Sequence, residues 1–232
     1  MMPWFIWKGQ NSLSDFGLWI SKLPNRTRAE ERHEEIEIPG RAGSLIMLEG
    51  EDVYSPYPSE MTLTARNSLD MNGILEWLRG SGQLALSTDI SKCWDARITN
   101  KIDFARVGNN LQQGVISFLF QPFRKSTYPI QDKLTITGAS ASEINPGDVA
   151  SKPKVKISGT GSNTITIDGK AMSFTGISGS IIVDCDAQII TSGNSIWTGS
   201  FTGEFWSIPT GPFTIAQTGS MTIEIDPEWR WF

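Results

Sequence analysis

The chain has 232 residues, of which 39% are hydrophobic and 19% charged, with 20 Lys and Arg against 25 Asp and Glu for a net charge of -5. That length lies between one domain and two and leaves ample chain for a core. The acidic balance and the scattering of the basic residues exclude a phosphate-neutralising nucleic-acid binder, and no apolar run reaches membrane-spanning length.

Gly, Ser, Thr and Ile are abundant, nine residues are Trp, and long Leu/Ala/Glu/Lys stretches are scarce. This composition predicts a β-dominated protein rich in turns. The first nine residues lack a basic segment followed by an adequate apolar one, so no signal peptide is expected. Cys93 and Cys185 lie in different halves and read as two reduced thiols.

Residues 4–8 are predicted as a short aromatic strand ended by Gly9, and 18–23 as a second strand closed by Pro24-Asn25. Residues 26–35 are very polar and hold His33, the only histidine; such a charge run reads as a solvated face or an arm. In residues 36–48, Ile36 and Ile38 alternate with Glu35 and Glu37, putting apolar and acidic side chains on opposite faces of a strand. Pro39-Gly40 stops that strand, Ala42-Gly43 punctuates again, and 45–48 is the apolar return arm. The whole is a β-hairpin with a short stiff tip that holds Arg41 outward.

Strands are predicted at 59–66, 83–87, 94–98, 102–107 and 114–120. One helix is predicted over 71–79, with Ile74, Leu75, Trp77 and Leu78 as its apolar stripe. It follows Ser68-Leu69-Asp70 and is closed by Gly80-Ser81-Gly82. From 128 to 150 Ser, Thr, Ala and Gly dominate and Asn145-Pro146-Gly147-Asp148 is a turn, so the domain boundary is placed here. A strand at 133–137 opens the second unit, followed by strands at 153–158, 164–167, 171–174, 179–184, 187–191, 211–217 and 220–226. Gly159-Thr160-Gly161-Ser162 is read as a turn and Asp168-Gly169 as a hairpin turn. Strands at this spacing imply an antiparallel sandwich or jelly roll.

The residues carry no constellation for catalysis. His33 has no nucleophile motif nearby. Asp184 and Asp186 flank Cys185 and would share a face if the strand extends, but no further ligands stand at metal-binding spacing; a strand end feeding a turn is the preferred reading. No Gly-rich phosphate loop precedes a helix. No enzyme activity, metal or cofactor is therefore expected. Trp197, Phe201, Phe205 and Trp206 cluster in a turn-rich stretch. They are read as core or interface aromatics, with a sugar-stacking platform as the alternative. Trp197, Phe205 and Trp206 are the candidate partner or glycan contacts.

Ile38-Pro39-Gly40-Arg41-Ala42-Gly43 resembles the hairpin tip in the N-terminal domain of the distal tail proteins of long-tailed bacteriophages. So does the strand of residues 117–123 running into Pro122-Phe123, and the single helix followed by a short strand over 75–86. In the second half the resemblance continues through Asn145-Pro146-Gly147, Lys152-Pro153 and Ile157-Ser158-Gly159. It extends over the strand at 181–184 and the ending Ile223-Glu224-Ile225 into Trp229-Arg230-Trp231. The motifs cover nearly the whole chain in order.

The resemblance implies a mainly β protein. Its N-terminal β-barrel or sheet domain (1–128) would carry one helix and a protruding hairpin. A linker (129–150) and a galectin-like antiparallel β-sandwich (151–232) would follow. It further implies a structural virion protein, a distal tail hub that forms a homo-hexameric ring. One side of the ring would meet the tail tube protein and the other the tail-tip protein, with support for receptor-binding protein in some relatives. Its place is the virion tail, after assembly in the bacterial host cytoplasm, with no nucleic-acid or membrane partner. Ile38, Pro39, Gly40, Arg41 and Gly43 are the implied subunit-interface residues, with Arg41 bridging to an acidic group on the adjacent subunit. The alternative function is a carbohydrate-binding β-sandwich protein recognising host cell-wall glycans.

Overall fold

The computed structural model describes residues 2–50, 52–66, 70–127 and 131–232. The expected lead-in Ser68-Leu69 and the boundary residues 128–130 lie outside the described residues. The chain divides into two compact units, residues 1–127 with Phe232, and residues 128–231.

The first unit contains β1 (Phe5–Trp7), β2 (Gln10–Asn11), β3 (Trp19–Lys22), β4 (His33–Glu37), β5 (Ser44–Leu48), β6 (Tyr57–Arg66), helix α1 (Met71–Trp77), β7 (Ser81–Leu86), β8 (Asp89–Ile98), β9 (Phe104–Arg106) and β10 (Leu111–Ser126). Seven strands form one antiparallel sheet in the order β2-β1-β7-β8-β10-β6-β3, with β9 also pairing with β10. One face of this sheet is the core. Phe5, Trp7, Leu63, Leu84, Ile116 and Phe118 are buried there, as strand alternation requires.

Helix α1 packs into the same core through Ile74 and Trp77. Asp70 caps it by accepting from the N–H groups of Asn72 and Gly73 at 3.1 and 3.4 Å. Trp77 stacks against Phe5 and Phe16, with ring centroids 5.5 and 4.1 Å away, and its indole N–H donates to the Trp7 carbonyl at 3.2 Å. The helix stops two residues earlier than the periodicity predicts. Leu78 leaves the helical region at ψ 62°, and Gly80 then takes φ +71°, a conformation glycine enters without penalty. Strand β10 runs past Pro122 instead of ending at 120. Its register against β8 shifts between Phe120 and Arg124, so the residue without an N–H sits where the ladder is already broken.

The second unit holds β11 (Leu134–Ile136), β12 (Ser140–Asn145), β13 (Lys154–Ile167), β14 (Lys170–Asp184), β15 (Ile189–Ser192), β16 (Ser195–Ile196), β17 (Ser200–Gly203), β18 (Gly211–Gln217) and β19 (Thr222–Asp226). They build a two-layer antiparallel sandwich. One layer runs β11-β19-β13-β14-β15-β16; the other is formed by β12, β18, the far half of β13, the near half of β14, and β17. Strands β13 and β14 therefore serve both layers. Val155, Ile157, Ile165, Ile181, Phe213, Ile215, Ile223 and Ile225 fill the space between them.

Two sequence expectations are corrected here. Gly159-Thr160-Gly161-Ser162 is not a turn: β13 continues through it, paired with β14. The glycines bend the strand instead. Gly161 sits at φ +109°, and the register slips between Gly161 and Asn163. Asn163 braces the slip from inside. Its amide donates to the Gln217 side chain at 2.9 Å, and Gln217 in turn donates to the carbonyls of Gly138 and Met221 at 3.0 and 2.9 Å. The second correction concerns the expected linker at 129–150. It carries β11 and β12, which pair with β19 and β18 and belong to the sandwich. Both are edge strands, and edge positions need few apolar side chains, so the Ser- and Thr-rich composition reads as linker. The Asp168-Gly169 hairpin turn is present, with φ +48° and +78° at its two residues.

Candidate interaction surfaces

The hairpin of β4 and β5 is a separate two-stranded sheet. Its register pairs His33 with Leu48, Glu35 with Ile46 and Glu37 with Ser44, and on the other face Glu34 with Met47 and Ile36 with Leu45. Directly opposite residues share a face, so each face mixes carboxylates with apolar side chains. Ile46, Met47 and Leu48 are 61%, 51% and 57% exposed, and Ile38 is 40% exposed. A two-stranded ribbon in water is marginal by itself, and this one leaves its apolar strand uncovered.

At the tip, Gly40 and Gly43 take φ +81° and +80°, and the Arg41 N–H donates to the Ile38 carbonyl at 3.1 Å. Pro39, Gly40, Arg41 and Gly43 are all exposed. At the base, Arg32 pairs with Glu49 at 2.8 Å. The backbone carbonyl of Glu31, and then Glu35, raise the pKa of His33.

A second open surface lies on the sheet of the first unit. From Leu111 to Phe120, β10 buries its even-numbered residues and turns the odd ones outward. Outward Val115 and Leu111 are 45% and 38% exposed, and Val107, whose N–H donates to the Leu111 carbonyl at 3.0 Å, is 54% exposed. Arg66 stands opposite Leu111 and Glu60 opposite Ser117 on the same face, whereas Arg106, across from buried Gln112, belongs to the other face. Both arginines are exposed.

The same unit contains a cleft of roughly 320 Å³ with Leu23, Arg26, Tyr57, Trp94, Phe120 and Arg124 in its walls. Its polar groups face one another. The Trp94 indole N–H donates to the Tyr57 hydroxyl at 3.1 Å, and Arg124 lies 2.9 Å from Asp89 and 5.4 Å from the Trp94 ring. Burial raises the pKa of the Tyr57 phenol.

In the sandwich the structure separates the three aromatics that the sequence groups. Trp206 is 1% exposed, donates its indole N–H to the Lys170 carbonyl at 3.0 Å and lies 6.1 Å from the Phe174 ring. It is a core residue and offers no face to a ligand. Trp197 and Phe205 are half-buried against the same core. The Trp197 ring lies over Gly199, where an added Cβ would come within 2.0 Å of it. Phe201, opposite buried Phe174 on β14, is 43% exposed, and Ile196 is 76% exposed.

The acidic pair is accounted for locally. Asp184 accepts from the N–H groups of Asp186 and Ala187, closing a turn, and Asp186 pairs with Arg230 and Lys152 at 3.1 and 3.6 Å. Burial alone would raise the pKa of Asp186; the hydrogen bond and charge of Arg230, with Lys152, outweigh it and hold the carboxyl below its ordinary value.

The exposure of β5 and of the outer face of β10 was missed by sequence reasoning. The signal for the latter is Val115-Ile116-Ser117-Phe118-Leu119-Phe120, which is apolar on both faces, the pattern of a strand covered on both sides.

No family model matches the chain, and no curated protein matches it in sequence. Among solved structures it is similar to SPP1 Dit (gp 19.1), described as a paradigm of the hub adsorption apparatus in phages that infect Gram-positive bacteria. The TM-score is 0.73 at 15% identity, over 97% of this chain and 98% of that one. The chain has the fold of that hub protein from end to end, the fold to which its sequence motifs point.

Proposed function

We propose that this chain is a structural subunit of a phage tail, a distal hub protein that forms a homo-hexameric ring between the tail tube protein and the tail-tip protein. The observation that carries this reading is the fold match to SPP1 Dit over 97% and 98% of the two chains.

The physical chemistry of the surface supports the ring. A cyclic assembly of identical copies needs two unlike patches on each copy, one to reach and one to receive. The hairpin of β4 and β5 supplies the reaching patch, with Ile38, Pro39, Gly40, Arg41 and Gly43 at its tip. Its proline and paired backbone lower the entropy lost on docking. Arg41 then bridges to a carboxylate of the adjacent subunit. The sandwich is the part available to further tail components such as a receptor-binding protein. The site of action is the virion tail, and the ring closes in the host cytoplasm.

The test is the solution mass by size-exclusion chromatography with light scattering, followed by negative-stain images. A particle of about six times 25.6 kDa with a central hole is the expected result. A monomer that stays single both alone and with the tail-tube protein would refute the reading.

A further inference from the structure

We propose that the cleft of the first unit is a peptide-recognition site. An extended segment of a partner protein lies along residues 24–28, seats one aromatic side chain against Tyr57, Trp94 and Phe120, and sets an adjacent carboxylate on Arg26. The site belongs to a single copy and stands whether or not the ring does.

Four observations carry it. The first is size. The cleft holds roughly 320 Å³, at the small end of the about 300–1,000 Å³ of ligand sites, so it admits a single side chain and not a larger body. Phe120 in its wall lies 5.6 Å from the Tyr57 ring and 5.2 Å from the Trp94 ring, both tilted. An incoming ring therefore meets faces and edges of the kind aromatic pairs prefer.

The second is charge. Arg124 is committed to Asp89 and to the Phe232 carbonyl, and Arg28 lies 4.5 Å from the Phe232 ring. Arg26 is exposed and makes no hydrogen bond or ion pair among the described residues. Asp89 is the acid of the lining, and Arg124 meets its charge at 2.9 Å. The uncompensated charge of the cleft is thus positive, and a guanidinium is suited to a carboxylate.

The third is a donor. The Tyr57 hydroxyl accepts from the Trp94 indole at 3.1 Å and donates to no group among the described residues. Burial keeps the phenol protonated, so its proton is free for a ligand carbonyl or carboxylate.

The fourth is open backbone. Strand β3 is the last of its sheet. Residues 24–28, which follow it, make no backbone hydrogen bond among the described residues. Pro24 lacks an N–H, and the other four keep both donor and acceptor. An added strand satisfies such groups; its main chain supplies affinity while a side-chain pocket supplies selection. A free aromatic acid would leave them unpaired, which favours a peptide as the occupant.

The experiment is an array of capped hexapeptides with Phe, Tyr or Ala at the third position and Asp, Ser or Lys on either side of it. The array is probed with the native chain and with Arg26→Glu and Arg26→Gln. Arg26 is exposed, so both variants should keep the native circular dichroism. Binding should require the aromatic residue and be strongest beside Asp. Arg26→Glu should weaken the Asp-flanked peptides about tenfold and turn the preference to Lys, with Arg26→Gln between. The best binder is then measured in solution by fluorescence anisotropy. Methylating its backbone nitrogens should weaken it about tenfold, and phenylacetate should compete only at far higher concentration. No aromatic-dependent binding, or a selectivity that both Arg26 variants leave unchanged, overturns the site. Phenylacetate that competes as well as the peptide, or a methylated peptide that binds unimpaired, overturns the peptide as its occupant.

Discussion

Replacing Trp206 with alanine tests whether the aromatic group of the sandwich is core or platform. The indole is 1% exposed, packs on Phe174 and donates to the Lys170 carbonyl. Truncating a buried Trp costs about 3–5 kcal/mol in lost transfer energy and cavity. The carbonyl left without its donor adds about 1 kcal/mol. The sum, about 4–6 kcal/mol, is comparable to the whole stability of an ordinary domain, about 5–15 kcal/mol.

At a urea dependence of about 1–3 kcal/mol per molar, Trp206→Ala shifts the unfolding midpoint of the sandwich by about 2 M or abolishes its folded state. Far-UV and near-UV circular dichroism over a urea titration read this directly. Phe201→Ala is the control, because a side chain 43% exposed costs about 1 kcal/mol or less. A Trp206→Ala midpoint within about 0.5 M of the native chain, with unchanged slope, would refute the core assignment. A folded Trp206→Ala variant that had lost binding to cell-wall polysaccharide would refute it more sharply and revive the sugar platform.

Three further outcomes follow from the same structure. Ile46→Asp with Leu48→Asp should leave the melting temperature of the isolated chain within about 2 °C, since both side chains are exposed, while lowering the assembled fraction seen by light scattering. Normal assembly would remove the hairpin from the interface. Asp186, held below its ordinary value of 3.8 by Arg230 and Lys152, stabilises the fold above the unfolded value, and that contribution fades as pH falls through the lower folded value. The melting-temperature gap between the native chain and Asp186→Asn should therefore be constant from pH 6 to 8 and close below about pH 4; a gap that widened on acidification would contradict it. Burial raises the pKa of the Cys93 thiol and pushes that of Cys185 up to about 12, so a disulfide reagent at pH 8 should titrate neither until denaturant is added. Rapid stoichiometric reaction of the native chain would count against this.

What the sequence revealed follows a physical pattern. The Asp168-Gly169 turn and the Pro39-Gly40 tip were legible because their backbone conformations demand particular residues. Helix α1 was legible from the spacing of Ile74, Leu75 and Trp77. The continuity of β13 was not, because Gly159 and Gly161, which bend a strand between layers, are the same residues that end one. Strands β11 and β12 were hidden by composition, since short edge strands carry polar side chains that read as loop. The burial of Trp206 depends on residues far away in the chain, and no local pattern encodes it. In the hairpin the residues were visible and their exposure was not, because an apolar return strand reads alike whether its cover belongs to the same copy or to another.

The paired strands β13 and β14 have a consequence for how the protein is made. They are adjacent in the chain, joined by a two-residue turn, and aligned from Lys154 against Asp184 to Ile167 against Lys170. As the chain leaves the ribosome, this ribbon is complete while β18 and β19 are still unsynthesised. It is a local structure with low loop-closure entropy, and because it bends through both layers it already fixes the angle between them. Strands β11 and β12 emerge earlier but stay unpaired until β19 and β18 are synthesised. The nascent sandwich thus carries its template in the middle and two unpaired strands ahead of it, and translation of β18 and β19 is the step that pairs each of them along one side.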